Sequence, residues 1–179
     1  LHPGSQAYPA QAAPALQLQN ISVQSADGRL RLQLDQLQLP AGQSVLIQGS
    51  SGAGKSSLLQ VLLGALPWQG QAQINGQDFA KLELTSWLDG LDYLAQQPRF
   101  VEGSLADNLL LAAPAATPAH MKDALQQVGL GELLKERGLN WPLGERGSGL
   151  SGGQLSRLAL ARLLLRDRPL WLLDEPTAH

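Results

Sequence analysis

Residues 49–56 are the stretch whose residue types could do chemistry. They read Gly-Ser-Ser-Gly-Ala-Gly-Lys-Ser, and the three glycines allow the backbone to curl so that successive N–H groups point toward an anion. Lys55 adds a mobile cation for phosphate oxygens, and the Ser56 hydroxyl is placed to bind Mg²⁺. The pattern predicts a phosphate-binding loop of a nucleotide site. The alternative is a glycine-rich turn that binds nothing.

The segments on either side of this loop have the character that a phosphate site requires. Residues 44–48 are a short apolar run that predicts a strand, and residues 57–63 have the apolar face of a helix. The positive end of that helix adds to the attraction for phosphate. The residues predicted to line the nucleotide here are Gly49, Ser50, Ser51, Gly52, Ala53, Gly54, Lys55, Ser56 and Ser57.

A second glycine-bracketed helix start lies at residues 150–154, which read Leu-Ser-Gly-Gly-Gln. A helix is predicted to follow over residues 155–165, so a serine and two glycines sit at a helix amino terminus, which attracts anions. The alternative is an ordinary capped helix that follows a loop.

Two adjacent carboxylates, Asp174 and Glu175, end the predicted hydrophobic strand 170–173. Carboxylates at a buried strand end are costly unless a cation or water receives them. We expect Asp174 to hold Mg²⁺ through its water shell and Glu175 to orient the attacking water; the alternative is that both acids merely end the strand. Gln96 follows another predicted strand, 91–94, and ligands bind at the carboxyl ends of parallel strands. It is therefore predicted to lie beside the phosphate loop.

Composition sets outer bounds on the function. The 179 residues are enough for one domain with an inserted lobe, and the formal charge of −2 leaves no basic stripe for a nucleic acid, so no nucleic-acid partner is expected. The absence of cysteine excludes disulfides and thiolate metal sites. No apolar run is long enough to span a membrane, and the first residues lack a secretion signal. Because the chain begins with Leu1, we expect it to be a piece of a longer protein.

Along the chain, residues 1–15 are rich in Pro, Ala and Gln and predict a flexible linker. Alternating leucines over residues 16–39, broken by Asp27-Gly28, predict an antiparallel pair of strands, and Asn75-Gly76 predicts a further hairpin turn. Thr85 is predicted to cap a short helix.

Residues 97–150 differ from the rest in having helical patterns and few strand signals. Ser104 and Thr117-Pro118 are predicted helix starts, and a third helix is predicted over residues 131–137. We interpret this stretch as an α-helical subdomain, about residues 97–150, within a domain that covers residues 16–179.

With these motifs in place, the chain resembles the ATPase domain of ABC proteins. Residues 49–56 are similar to the Walker A loop, Gln96 to the Q-loop, residues 150–154 to the LSGGQ signature and residues 170–175 to Walker B. The resemblance implies an α/β P-loop NTPase fold, with a mixed sheet around the Walker A helix, an antiparallel β subdomain and an inserted α-helical subdomain, truncated at the carboxyl terminus.

The resemblance also implies how the site works. ATP and Mg²⁺ would lie between the Walker A loop of one domain and the signature of a second domain, in a head-to-tail dimer. The signature residues implied to bind the nucleotide are Ser151, Gly152, Gly153 and Gln154, of which Ser151 and Gly153 would contact the γ-phosphate. The implied metal ligands are Ser56, Gln96 and Asp174, and the implied catalytic residues are Glu175, Gln96 and Lys55.

Finer resemblances point to exporters. Residues 96–100, 103–108 and 144–147 are similar to exporter-type ABC domains, in which the last of these stretches is the X-loop that touches the membrane domain's coupling helices. Residues 66–70, the Trp87 region and residues 174–179 resemble bacterial thiol-reductant exporters of cytochrome bd assembly, which are heterodimers that move cysteine or glutathione. These likenesses imply a transmembrane domain as partner and a place at the cytoplasmic face of the bacterial inner membrane.

Two departures from the family pattern leave alternatives open. Neither Gln24 nor Ser25 is the aromatic residue that usually stacks on adenine, and the chain stops at His179, before the expected switch histidine. We therefore expect this fragment alone to hydrolyse ATP poorly or not at all. The alternatives to a transport ATPase are a soluble ABC ATPase of DNA repair or translation, and a degenerate regulatory half-site.

Overall fold

The computed structural model describes residues 6–8 and 13–176. The chain divides into two compact units, residues 1–91 and 92–179. An antiparallel sheet dominates the first unit, whereas helices dominate the second.

The sheet of the first unit has four strands, in the order β2-β1-β3-β4 with antiparallel neighbours. Apolar and polar residues alternate along its strands. Because successive side chains of a strand point to opposite faces, this pattern gives the sheet one apolar face that can be buried. Leucine, isoleucine and valine of β1 are buried, whereas glutamines face solvent, so the predicted antiparallel pair is confirmed. The strands are β1 (Leu16–Gln24), β2 (Leu30–Leu39), β3 (Gln69–Ile74) and β4 (Gln77–Asp78).

The predicted turn at Asn75-Gly76 joins β3 to β4. Both residues have positive φ, 50° and 77°, which is the geometry of a type I′ hairpin turn and explains why asparagine and glycine stand there.

The described residues of the first unit also form a 3₁₀ turn, Phe79–Lys81, and two α-helices, α1 (Lys55–Leu62) and α2 (Leu84–Leu88). The fully buried Trp87 joins them, since its indole Nε1 donates a hydrogen bond of 2.6 Å to the carbonyl oxygen of Leu62. The predicted N-cap at Thr85 is wrong: Glu83 is the capping position, and the Thr85 hydroxyl instead donates to the Glu83 carboxylate. Thr85 lies within the first turn because the helix begins at Leu84, two residues earlier than an N-cap at Thr85 would place it.

The predicted strand before the phosphate loop is not formed. Residues 44–48 have no regular secondary structure, and the side chains of Val45 and Leu46 are 44% and 80% exposed. A strand exists only where a neighbour completes its hydrogen bonds, and no ladder among the described residues includes this run. Apolar composition alone could not supply that neighbour.

Part of the predicted linker packs on the first unit. Gln6 accepts a hydrogen bond from the N–H of Glu83 and donates one to the carbonyl of Lys81. Tyr8 is 4% exposed, and its ring meets that of Trp87 edge to face at 5.1 Å between centroids. The composition of residues 1–15 did not indicate this packing; residues 1–5 and 9–12 lie outside the described part of the chain.

The second unit pairs β5 (Leu91–Leu94) with β8 (Leu170–Leu173), as the sequence predicted for both strands. Four helices surround a leucine-rich core: α3 (Leu105–Leu110), α4 (Pro118–Gln127), α5 (Gly131–Arg137) and α6 (Gly152–Arg166). The sequence did not reveal a short antiparallel pair in which β6 (Gly103–Ser104), just before α3, pairs with β7 (Pro142–Leu143), which follows α5.

Local capping explains where these helices begin. Ser104 and Asp107 form a capping box at α3, and Thr117 caps α4 with Pro118 in the first turn, both as predicted. Helix α6 begins at Gly152, three residues earlier than predicted, so the two signature glycines lie inside its first turn. Within the described residues, no helix combines the length and the apolarity needed to cross a membrane.

Candidate functional site

The phosphate-binding loop lies in the first unit and leads directly into α1. Gly52 and Gly54 have φ of 80° and 94°, values that side-chain-bearing residues rarely adopt. The N–H of Ala53 closes a turn onto the carbonyl of Ser50 at 3.2 Å, and Ser51 is exposed at the rim. The backbone conformation of the loop therefore favours glycine at positions 52 and 54, within the stretch that the sequence predicted to curl.

Gly54 has a second reason to be glycine. A Cβ at this position would lie 2.4 Å from the backbone carbonyl oxygen of Arg31 and 3.1 Å from Cα of Leu32, both on β2. Real Cβ atoms do not approach so closely, so β2 and the loop fit together only without a side chain here. The contact fixes the loop against the sheet.

Lys55 folds back over the loop that it ends. Its Nζ donates to the carbonyl oxygens of Gly49 and Ser50, at 2.8 and 3.0 Å. None of the ion pairs found among residues 6–8 and 13–176 involves Lys55. These two hydrogen bonds hold the ammonium group of Lys55 against the loop at the start of α1, where an anion could take the place of the carbonyl oxygens. Ser56 follows it in the first turn of α1 and is exposed, and Ser57 is half-buried.

The signature residues begin α6 in the second unit. Ser151 is the N-cap: its Oγ accepts from the N–H of Gln154 at 3.3 Å, and the Gln154 side chain accepts from the N–H of Ser151 at 2.8 Å. This reciprocal pair is a capping box, which the Ser-x-x-Gln spacing indicates. A capped helix was one of the two interpretations left open for this stretch. The capping bond uses the Ser151 oxygen as an acceptor, so the hydroxyl can still donate to a phosphate oxygen.

Gly153 is not explained by the fold of this chain. An added Cβ would meet nothing within 4 Å, and the backbone φ is not positive. Alanine would favour a helix by up to about 1 kcal/mol over glycine. A bare backbone in an open helix start fits a position that another molecule must approach closely.

Gln96, Asp174 and Glu175 lie together in the second unit. The N–H of Asp174 donates to the carbonyl of Leu94 at 2.9 Å, which brings the ends of β5 and β8 side by side. Gln96 then donates from Nε2 to Oε2 of Glu175 at 2.7 Å. Gln96 follows β5 as predicted, and its predicted place beside the phosphate loop stays a prediction.

The two carboxylates differ in environment. Asp174 is 8% exposed, whereas Glu175 is exposed and has a positive φ of 50°. That backbone region costs a residue with a side chain about 1–2 kcal/mol, and such strain is common at functional sites.

Tyr93 is a neighbour of Asp174 that the sequence reasoning missed. Burial raises the pKa of the Tyr93 hydroxyl, and the charge of Asp174 and a hydrogen bond with its carboxylate raise that pKa further. The hydroxyl therefore stays protonated and can donate to Asp174. The available signal in the sequence was a tyrosine within the predicted strand 91–94, three residues before Gln96.

Two other predicted features are exposed turns. Ser25, where an adenine-stacking aromatic was expected, donates from both its N–H and its hydroxyl to the carbonyl oxygen of Arg29, which closes a turn. The predicted X-loop forms a short 3₁₀ turn, Glu145–Gly147, whose Glu145 and Arg146 side chains face solvent.

The phosphate loop belongs to the first unit, and Gln96, the signature and both carboxylates belong to the second. Their assignment as nucleotide, metal and catalytic residues stays a prediction.

Comparison with known proteins adds independent findings. The family profile described as ABC transporter matches residues 32–178. The glutathione/L-cysteine transport system ATP-binding/permease protein CydD of Haemophilus influenzae is 36% identical over 178 residues, which cover 99% of this chain and 30% of that protein. The corresponding CydC protein of Escherichia coli is 45% identical over 142 residues, covering 79% of this chain and 25% of that protein.

A solved structure described as a bacterial Atm1-family ABC exporter with ATP bound is similar along 98% of this chain, with a TM-score of 0.89 and 28% identity, and the match covers 31% of that protein's chain. The chain thus spans under a third of the length of CydD, of CydC and of this exporter.

Proposed function

The chain belongs to the ABC transporter family, and on that premise we propose that it binds ATP with Mg²⁺ and hydrolyses it to drive export of a small substrate. The observation that carries this proposal is Lys55, a cation held by the loop carbonyls of Gly49 and Ser50 at the start of α1. A triphosphate can replace those carbonyls as the partner of the ammonium group. The exposed loop N–H groups complete the cradle.

The donor set suits Mg²⁺, which prefers hard oxygen ligands. Ser56 offers a hydroxyl, Asp174 a carboxylate, and Gln96 an amide oxygen that stays available because Nε2 makes its bond to Glu175. When bound, the ion would neutralise charge on the β- and γ-phosphates. Tyr93 would hold the Asp174 carboxylate in place from the strand side.

Glu175 would orient the water that attacks the γ-phosphorus and accept its proton. In that step a water oxygen forms a bond to phosphorus, the bond to the oxygen that bridges the β- and γ-phosphates breaks, and ADP leaves. The exposed Glu175 carboxylate would accept the hydrogen bond, and then the proton, of the water. The direct contact with Gln96 must open for a water to enter between the two side chains.

The signature would act on ATP held by another copy or a related domain. An open Gly153 and the spare hydroxyl hydrogen of Ser151 at the amino terminus of α6 suit the γ-phosphate. We therefore propose a head-to-tail pair of ATPase domains, identical or different, with each nucleotide between a Lys55 loop and a signature helix. A transmembrane domain would complete the transporter, with the ATPase domains at the cytoplasmic face of the bacterial inner membrane.

The proposed cargo is cysteine or glutathione. Relatives that match 99% and 79% of this chain carry glutathione/L-cysteine transport in their names. Inverted membrane vesicles with the complete protein should accumulate labelled cysteine or glutathione only when ATP is supplied. Accumulation of neither thiol, in vesicles that hydrolyse ATP, would contradict the cargo and leave the ATPase proposal standing.

A non-hydrolysing regulatory site is the second candidate, because neither Gln24 nor Ser25 offers a ring for adenine. The soluble, nucleic-acid-associated alternative finds no support among relatives that are named as transport proteins.

Lys55→Ala in the complete protein tests the leading proposal. We expect ATP affinity, measured by calorimetry, to fall at least about tenfold, since the main cation at the phosphates is lost. Lys122→Ala, which removes an exposed lysine of α4, is the matched control and should bind ATP as wild type does. Unchanged affinity in Lys55→Ala would overturn the phosphate-loop assignment. Binding without turnover in wild type would select the regulatory alternative.

A further inference from the structure

Helix α6 carries two arginines, Arg162 and Arg166, one turn apart and on the same face. Both reach residues 92–101, the stretch of chain that contains Gln96 and that we call the Gln96 segment. They bind it on opposite sides of Gln96 itself.

Arg162 holds the part of the segment that follows Gln96. Its Nη1 donates to the carbonyl oxygen of Arg99 at 2.7 Å, and its guanidinium lies 4.4 Å from the ring centroid of Phe100. Its Nε and Nη2 donate to the main-chain and side-chain oxygens of Asn108, at 2.8 and 2.7 Å. A planar fork with donors on two edges can make all these bonds at once.

Asn108, which Arg162 contacts, is in turn hydrogen-bonded to Val101. The Asn108 side chain has no exposed surface; its Oδ1 accepts from the N–H of Val101 at 3.1 Å, and its Nδ2 donates to the Val101 carbonyl at 3.0 Å. The end of the Gln96 segment is therefore tied to α6 through a buried amide that Arg162 orients.

Arg166 holds the part that precedes Gln96. Its Nε lies 2.9 Å from Oδ1 of Asp92, whose side chain is only 3% exposed. A buried carboxylate needs a cationic partner, so this pair fixes the start of β5 to the last turn of α6.

We propose that Arg162 and Arg166 are positioning residues that clamp the Gln96 segment to α6, so that contact of a phosphate with Ser151 at the other end of α6 sets the position of Gln96. The inference rests on the proposed function, in which Ser151 meets ATP and Gln96 meets the metal. A helix transmits such a displacement because its backbone hydrogen bonds make it a rigid rod.

Arg162→Lys in the complete protein tests the clamp, because lysine keeps the charge but loses the fork. We expect kcat for ATP hydrolysis to fall about tenfold while KM changes less than about twofold, the pattern of a group that acts in the transition state rather than in ATP binding. In a Gln96→Ala background, the same change should have little further effect on kcat, since both act through one residue.

Arg157→Lys is the matched control. Arg157 also lies on α6 and also bonds two carbonyls, those of Gly153 and Gly129, but neither belongs to the Gln96 segment. Its effect should add to that of Gln96→Ala. Additive effects of Arg162→Lys and Gln96→Ala would overturn the clamp.

Hydrogen exchange at the Val101 amide gives a readout that does not depend on ATP. Arg162→Lys should speed exchange there by about tenfold, because Asn108 loses its anchor, whereas Arg157→Lys should not. Should the wild type show no ATP turnover, the proposed function fails and this exchange rate alone decides on the clamp. Turnover that requires Lys55, together with wild-type kcat and Val101 exchange in Arg162→Lys, would overturn the clamp alone.

Discussion

Gln96 and Glu175 are joined by a direct hydrogen bond, from Nε2 to Oε2, of 2.7 Å. One is the predicted metal ligand that follows β5, and the other is the predicted base that follows β8. Their contact means that the paired strand ends already bring together two of the groups to which we assign roles in hydrolysis. In the proposed mechanism, the two side chains would have to part before a water could take its place between them.

Glu175→Gln should abolish steady-state ATP hydrolysis and leave ATP binding intact. The amide keeps the size of the side chain but cannot accept the proton of the water, and loss of a general base lowers rates by about 10²- to 10⁴-fold. Phosphate release and ATP affinity of the complete protein are the measurements. Glu136→Gln, at an exposed glutamate of α5, should hydrolyse ATP normally. Wild-type phosphate release by Glu175→Gln would show that the base is another group.

Gly153→Ala should separate the stability of α6 from function. Alanine fits the open space and should leave the helix as stable or up to about 1 kcal/mol more stable, yet its methyl group should obstruct the γ-phosphate and lower kcat. Hydrogen exchange of α6 amides and ATP turnover are the two measurements. The control is Gly131→Ala in the first turn of α5, where a Cβ meets only an ordinary contact at 3.7 Å. Full activity in Gly153→Ala would remove the case for a close approach at this glycine.

Gly54→Ala should loosen the phosphate loop more than Gly52→Ala does. Both glycines have positive φ, so both changes carry strain of about 1–2 kcal/mol. Only Gly54 adds a collision, with the Arg31 carbonyl 2.4 Å from the new Cβ. Exchange rates of the α1 amides in the complete protein should rise in both variants and more in Gly54→Ala. Equal rates in the two variants would mean that β2 does not constrain the loop.

Tyr8→Ala should weaken the first unit by on the order of 3 kcal/mol, since it empties a buried aromatic site against Trp87. Tyr8→Phe keeps the ring and loses only the hydroxyl's bond with Asn75, and should cost about 0.5–1.5 kcal/mol. Exchange of the α2 amides measures both. If Tyr8→Ala leaves these rates unchanged, the Tyr8 side chain does not stabilise this part of the unit.

Sequence alone determined the parts of this protein that depend on local geometry. The spacing of glycines before Lys55, the alternation in β1 and β2, the Asn75-Gly76 turn and the caps at Ser104 and Thr117 each follow from backbone conformations that few residue types permit. The same holds for the motifs that carry the family resemblance, because a phosphate cradle is built from consecutive N–H groups of one loop.

Tertiary structure decided what depends on partners distant in the chain. Residues 44–48 have the composition of a strand but no hydrogen-bonding neighbour among the described residues. Tyr8 lies in a segment with the composition of a linker, yet its ring packs against Trp87. The hydrogen bonds of Arg162 to Arg99 and Asn108 join distant parts of the chain, and no periodic pattern in the sequence predicts them. Local patterns restrict the backbone of each segment, whereas burial and pairing are properties of two segments at once, and these only the folded chain brings together.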